Sequence, residues 1–169
     1  MPTHAERLVV PYTQDQIFDL IADVERYPEF LPWCVAARIR QRPAPNVLVA
    51  DLVIGYRMFR ERFTSHVQLN RPKRIDVNYY EGPFRYLNNH WNLESRGEGE
   101  CVIDFYVDFE FKSRMLQKVI RTLFNEAVQR MVGAFEKRAQ TLYGSGNSTA
   151  TASRKAASPL KSDTSGHNY

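Results

Sequence analysis

The apolar positions of this chain follow two different periods, and the changes between them set the order of its elements. Glu6–Val10 has the pattern of a short strand, which Pro11 ends. Thr13 is suited to a helix N-cap, and Ile17, Leu20, Ile21 and Val24 recur at helical spacing behind it. Pro28 interrupts that helix, so Glu25–Trp33 is expected to make one more short helical turn, bent away from the first. From Val35 the period is two. Val35, Ala37 and Ile39 alternate with Ala36, Arg38 and Arg40, and NVLVADLVIGY is apolar on both faces except for an outward Asp51. Phe63, Val67 and Leu69 oppose Arg62, Thr64, His66 and Gln68. Ile75, Val77 and Tyr79 oppose Asp76 and Asn78, and Trp91 and Leu93 share a face. The clearest run is CVIDFYVDFEF, with Cys101, Ile103, Phe105, Val107, Phe109 and Phe111 on one face and Asp104, Asp108 and Glu110 on the other. Turn residues separate these runs at RPAPN, NRPK, EGP and RGEGE.

After Ser113, a second N-cap, the period returns to helical. Leu116, Ile120, Leu123, Phe124, Ala127, Met131, Phe135 and Leu142 form an apolar stripe on a long final helix, with Lys118, Arg121, Arg130, Lys137 and Arg138 elsewhere on its surface. The expected architecture is α+β: about six to seven strands in an antiparallel meander, curved around one long C-terminal helix, with two short helices after the first strand. Met1–Tyr143 is the folded domain. From Gly144 the chain is mostly Ser, Thr, Gly and Ala, so 144–169 is expected to be a disordered tail.

Composition narrows the function. Aromatic residues make up 12% of the 169, which implies a core or cavity walled by large flat side chains. A net charge of +4 is too small for a dedicated DNA binder, though it suits weak attraction to anionic lipid or RNA. The start of the chain has no apolar stretch of signal-peptide length, and no run reaches a membrane span, so a cytoplasmic protein is expected, peripheral to the inner face of the membrane. Cys34 and Cys101 are expected to be reduced structural thiols. His4, His66, His90 and His167 show no metal spacing, and no nucleophile, zincin or phosphate-loop motif is present.

Several segments, taken in order, resemble the coenzyme Q-binding START-domain family of the START-like helix-grip superfamily, which includes bacterial members described as RatA-type ribosome-association toxins. They are YPEFLPWC, IGYRMFRERFTSHV, GPFRYLNNHWNL, CVIDFYVDFEFKSRML and AFEKRA, and the resemblance runs from about Thr3 to Tyr143. It implies a nonenzymatic domain that takes a polyprenylated quinone between sheet and helix as a bound ligand, with no catalytic cofactor and no metal. It implies a carrier or chaperone of ubiquinone that supports respiration. The alternatives are a ribosome-binding toxin that blocks subunit association and a small cyclase-type enzyme of the same fold.

On that basis the expected cavity wall is Phe30, Leu31, Trp33, Ile54, Met58, Phe59, Phe63, Val77, Tyr79, Phe84, Trp91, Phe105, Phe109, Ile120, Phe124, Met131 and Phe135. Tyr79, Asn89, His90 and Trp91 are equal candidates to meet a quinone head. In GYRMFRERF, Met58 and Phe59 occupy a turn flanked by Arg57, Arg60 and Arg62. An apolar tip with a basic collar fits a transient contact with an anionic membrane, whereas the plainer reading folds both apolar residues onto the core. Arg71, Lys73, Arg74, Lys118, Arg121 and Arg130 are either an ordinary solvated face or a candidate basic surface for anionic lipid or for a ribosomal subunit.

Overall fold

The computed structural model describes residues 3–144. The expected tail lies outside the described residues beyond Gly144. The elements are β1 (Thr3–Val10), α1 (Gln14–Ala22), a 3-10 turn (Val24–Glu29), β2 (Cys34–Ala44), β3 (Val47–Tyr56), β4 (Phe59–Asn70), β5 (Arg74–Glu81), β6 (Phe84–Ser95), β7 (Cys101–Phe111) and α2 (Arg114–Tyr143).

The strands form one seven-stranded antiparallel sheet in the order β1-β7-β6-β5-β4-β3-β2. From β2 to β7 each strand pairs with the next, and β1 closes back onto β7. The first helix and the 3-10 turn therefore carry the chain from one sheet edge to the other. Thr13 caps α1 by accepting from the Gln16 amide at 3.1 Å, while the Gln16 side chain accepts from the Thr13 amide at 2.9 Å. Gln14 Nε2 donates to the Leu93 carbonyl at 2.7 Å, which fixes α1 across one end of the sheet. Pro28 sits inside the tighter turn, as the sequence predicts for a helix that cannot continue.

Ser113 caps α2, and the helix crosses the concave face. Its far end is fastened to α1 by Tyr143, whose hydroxyl donates to the Gln16 carbonyl at 2.9 Å. The core concentrates at this end, where Ile17, Leu20 and Ile21 meet Leu93, Ile103, Val132, Phe135 and Ala139. The predicted stripe faces the sheet except at Leu142, which is 49% exposed. The last turn meets α1 through Tyr143 and Ala139, and this turns Leu142 to solvent. Val128, Val132 and Ala139, which the stripe omitted, are buried instead.

Strand alternation is as expected except at the start of β2, where a register shift between Cys34 and Ala36 leaves Val35 46% exposed instead of sharing the face of Ala37 and Ile39; Asp51 differs in environment. Asp51 lies on the convex face but is only 3% exposed. Thr64 Oγ1 donates to it at 2.6 Å, and Arg38 and Arg40 cover it at 3.2 and 3.5 Å. Burial works to raise its pKa, but the Thr64 hydrogen bond and the two arginines outweigh it and hold the carboxyl below its usual range.

A large apolar cavity between sheet and helix

The sheet and α2 enclose a cavity of about 350 Å³. Its floor is the concave face: Phe59, Phe63, Ser65 and Val67 from β4, Ile75 and Val77 from β5, Leu87, Asn89 and Trp91 from β6, and Phe105, Val107, Phe109 and Phe111 from β7. Its roof is Leu116, Ile120, Phe124, Val128, Met131 and Phe135. The period-two spacing of the strands and the helical spacing of α2 put these groups on facing surfaces.

The cavity opens on one side. Tyr56, Phe59, Glu61 and Phe63 by the β3–β4 hairpin are half-buried, as are Leu116, Val119 and Ile120 at the start of α2. Ser65, Val67, Ile75, Trp91, Phe105, Val107 and Phe135 at the other side are buried. Gly82 helps to shape this region. At φ +144 it brings its backbone so near β4 that a Cβ there would stand 2.6 Å from the Phe63 Cβ.

YPEFLPWC divides between two jobs. Tyr27 and Phe30 grip α2: their rings pack edge-on against Phe135 at 5.6 and 5.3 Å. The Tyr27 hydroxyl donates to the Ile21 carbonyl, and Arg138 lies 5.2 Å over Phe30 while its Nη2 meets Glu29 at 2.7 Å. Leu31, Pro32, Trp33 and Cys34 then line the cavity. Trp33 has the left-handed φ of 64°, a conformation that costs a bulky residue about 1–3 kcal/mol. The Gly55 amide donates to its carbonyl at 2.8 Å and holds it there.

Leu31, Trp33, Ile54, Phe59, Phe63, Val77, Phe84, Trp91, Phe105, Phe109, Ile120, Phe124, Met131 and Phe135 all meet on the wall. Phe30 does not, because it is spent on Phe135 and Arg138. Met58 does not, because a two-residue turn between paired Tyr56 and Phe59 points it outward, 96% exposed. Tyr79 packs edge-on against Phe84 at 5.5 Å, and its hydroxyl accepts from the Phe84 amide at 3.1 Å, so it is outside the wall. Of the candidates for a quinone head, His90 lies on the convex face, where Nδ1 meets Asp76 at 2.7 Å. Asn89 and Trp91 reach the cavity, with Trp91 Nε1 donating to Asn89 Oδ1 at 3.0 Å.

The expected wall omits other lining residues, among them the inward apolar Val107, Phe111 and Val128 and, less legibly, Tyr56, Glu61, Ser65 and Leu87. Strict alternation through Phe59, Glu61, Phe63, Ser65 and Val67 carries the signal for the β4 pair, but polar identity hides it. The expected basic surface is also thinner than drawn. Arg71 binds Asp15 and Asp19 and stacks 4.5 Å over Phe18. Arg74 binds Asp76, and Arg130 binds Glu126 at 2.7 Å.

Few ionisable groups face the cavity. Burial pushes the Cys34 thiol up to about 11, so it is protonated at neutral pH and a poor nucleophile. Burial also pushes the Tyr27 phenol up, with Cys34 and Asp23 adding to it. Glu61 is the only carboxylate on the wall, and no lysine, arginine or histidine joins it among the described residues.

The profile of the family described as polyketide cyclase / dehydrase and lipid transport matches residues 10–136. The chain belongs to this family. Among curated relatives, the ribosome association toxin RatA of Pseudomonas aeruginosa is 35% identical over 145 residues, covering 85% of this chain and 100% of that one. The mitochondrial coenzyme Q-binding protein COQ10 homolog B of Xenopus laevis is 31% identical over 145 residues, covering 83% of this chain and 59% of the frog protein. A START superfamily protein from Mycobacterium smegmatis shares the fold with a TM-score of 0.70 at 18% identity, over 83% of this chain and 98% of that one. The architecture is the START-like helix-grip fold. No described helix is long and apolar enough to cross a membrane.

Proposed function

We propose that this protein is a nonenzymatic carrier or chaperone for a polyprenylated quinone, taking ubiquinone from an anionic membrane surface on the cytoplasmic side and holding it between sheet and helix. The observation that carries this reading is the 350 Å³ cavity, whose wall is almost wholly apolar and whose mouth lies beside the β3–β4 hairpin. The volume falls in the range of roughly 300–1,000 Å³ typical of small-molecule sites. It fits a ring and the first part of a prenyl chain, so the rest of a long tail stays at the mouth. Each five-carbon unit buried gains on the order of 4 kcal/mol relative to water. A bilayer offers nearly the same, so transfer is close to balanced, as a carrier needs.

The hairpin supports a membrane contact. Met58 stands free at its tip, and Arg57, Arg60 and Arg62 are exposed around it. A nonenzymatic role is supported by the wall chemistry, whose ionisable groups among the described residues are one carboxylate, a protonated thiol and tyrosine phenols, with no lysine, arginine or histidine.

A ribosome-binding reading has its own observation. Lys112, Arg114, Lys118 and Arg121 are exposed at the start of α2, and no acidic residue intervenes before Glu126. Cosedimentation with a ribosomal subunit, lost on reversing Lys118 and Arg121, would favour it.

The deciding experiment is to purify the protein from a quinone-producing host and identify extracted lipid by mass spectrometry. Near-stoichiometric ubiquinone is expected, and Phe59→Asp at the mouth should lower it while leaving the fold intact. A well-folded protein that carries no quinone, and takes none from quinone-loaded vesicles, overturns the carrier reading.

A further inference from the structure

The floor of the cavity holds one hydrogen-bonding group with no partner. Ser65 is 1% exposed, and its hydroxyl meets no donor or acceptor. Its neighbour Thr64, pointing to the convex face, gives its hydroxyl to Asp51 at 2.6 Å. The strand thus presents two successive hydroxyls, one satisfied outside and one unsatisfied inside. An unmade hydrogen bond at a buried hydroxyl opposes folding, and native proteins keep few of them.

The other polar groups of the interior wall are committed, and the Tyr56 hydroxyl and Trp33 indole are only half-buried, on the side of the β3–β4 hairpin. Asn89 gives Nδ2 to the Tyr106 carbonyl at 3.0 Å and accepts at Oδ1 from Trp91. The Tyr27 hydroxyl is on the Ile21 carbonyl, and the Cys34 thiol leans on the Ala36 carbonyl at 3.7 Å. Glu61 lies nearer the mouth and, as a carboxylate, donates nothing. Ser65 pairs across the sheet with Ala50 and Tyr79, six residues along β4 from Phe59, or about 20 Å at the usual strand rise. It is therefore an interior donor in an apolar chamber whose wall, among the described residues, has no cation to neutralise an acid.

We infer that Ser65 is the polar anchor of this cavity: it donates to a carbonyl or ether oxygen of a neutral, otherwise apolar ligand, which enters oxygen-bearing end first and trails its chain to the hairpin. The inference rests on the cavity being a lipid site, and it deepens the carrier reading by setting ligand charge and orientation. A fatty acid or a phospholipid headgroup would bring a charge that nothing on the wall pairs.

The test uses the full chain and a neutral apolar dye, 1-N-phenylnaphthylamine, displaced by three competitors. They are a benzoquinone with two isoprene units, geranylacetone, and a hydrocarbon of matching chain length. Wild type should bind the two oxygenated competitors more tightly than the hydrocarbon. Ser65→Ala should weaken both by about three- to tenfold, the value of one hydrogen bond, and leave the hydrocarbon unchanged. An oxygen preference that survives Ser65→Ala, or is absent from wild type, overturns the anchor. Loss of the quinone alone, with Ser65-dependent binding of the ketone kept, sinks the quinone reading and leaves the anchor standing. For orientation, a bulky label on the distal end of the quinone's chain should be tolerated and one on the ring should not; the reverse overturns head-first binding.

Discussion

Trp91 separates the large cavity from a smaller one, and replacing it tests both the packing and the ligand site. Its indole is 7% exposed and lies 4.4 Å from the Phe105 ring and 5.2 Å from that of Phe135. The smaller void, about 30 Å³, sits behind it under α1 and shares Ile21, Trp91, Phe105 and Phe135 with the main chamber. That is room for roughly one water. Trp91→Ala joins the two spaces. A buried tryptophan removes about 150–250 Å² from water, or on the order of 4–6 kcal/mol at 25 cal/mol per Å². Large aromatic-to-alanine changes cost about 3–5 kcal/mol in practice. Here one side of the ring already faces open cavity and lacks packing partners, so the low end applies, about 3 kcal/mol for the empty protein.

Urea denaturation of both proteins, with and without a prenylated quinone, measures this directly. The empty variant should lose about 3 kcal/mol at an unchanged m-value. On the carrier reading the quinone should stabilise wild type through mass action and should stabilise the variant less, because an indole of the cavity wall is gone. A loss under about 1 kcal/mol in the empty protein would show that Trp91 is not packed as described. Equal stabilisation of both proteins by quinone would remove Trp91 from the ligand site.

Two further predictions concern the scaffold. Asp51 has a folded pKa below its unfolded value, so its contribution is fully present above the unfolded value and is lost as pH falls through the folded one; Asp51→Asn should flatten the drop in melting temperature between about pH 5 and pH 2, and an unchanged pH profile would refute the buried cluster with Arg38, Arg40 and Thr64. Gly82→Ala combines a disfavoured backbone with a 2.6 Å approach to Phe63 and should destabilise by about 1–3 kcal/mol in thermal unfolding; a neutral result would mean that the β5–β6 turn does not press on β4 at the cavity mouth.

The floor of the cavity was legible because β-alternation is a local rule: from Cys101 to Phe111, odd-numbered residues face inward with no exception. The roof was legible over most of α2 for the same reason. What escaped depends on contacts between distant segments. Arg71 looks like a free surface cation until folding brings Asp15 and Asp19 to it from α1. Phe30 looks like cavity wall until Arg138, far along α2, covers it. Met58 and Phe59 are adjacent and both apolar, and only the two-residue turn decides that one points to solvent and the other into the chamber. Ser65 was hidden differently: its position in the alternation was plain, but a serine inside an apolar row carries meaning only once its hydroxyl is seen to lack a partner.

Strand β4 also explains how one fold can serve relatives with unlike names. Phe59, Glu61, Phe63, Ser65 and Val67 face the cavity, while Arg60, Arg62, Thr64, His66 and Gln68 alternate with them on the other face. Ligand chemistry and surface chemistry are therefore written on interleaved residues of the same strand, and each set can change without moving the other. The same holds on α2, where Ile120 and Phe124 roof the cavity while Lys118 and Arg121 face solvent. A quinone site and a ribosome-facing surface would thus draw on different residues, and neither excludes the other on structural grounds. Substitutions at Phe59 and Ser65 should affect lipid alone, and reversals at Lys118 and Arg121 should affect a macromolecular partner alone. A substitution inside the cavity that abolished ribosome cosedimentation while leaving stability intact would break this separation and show that the surface reads the state of the chamber.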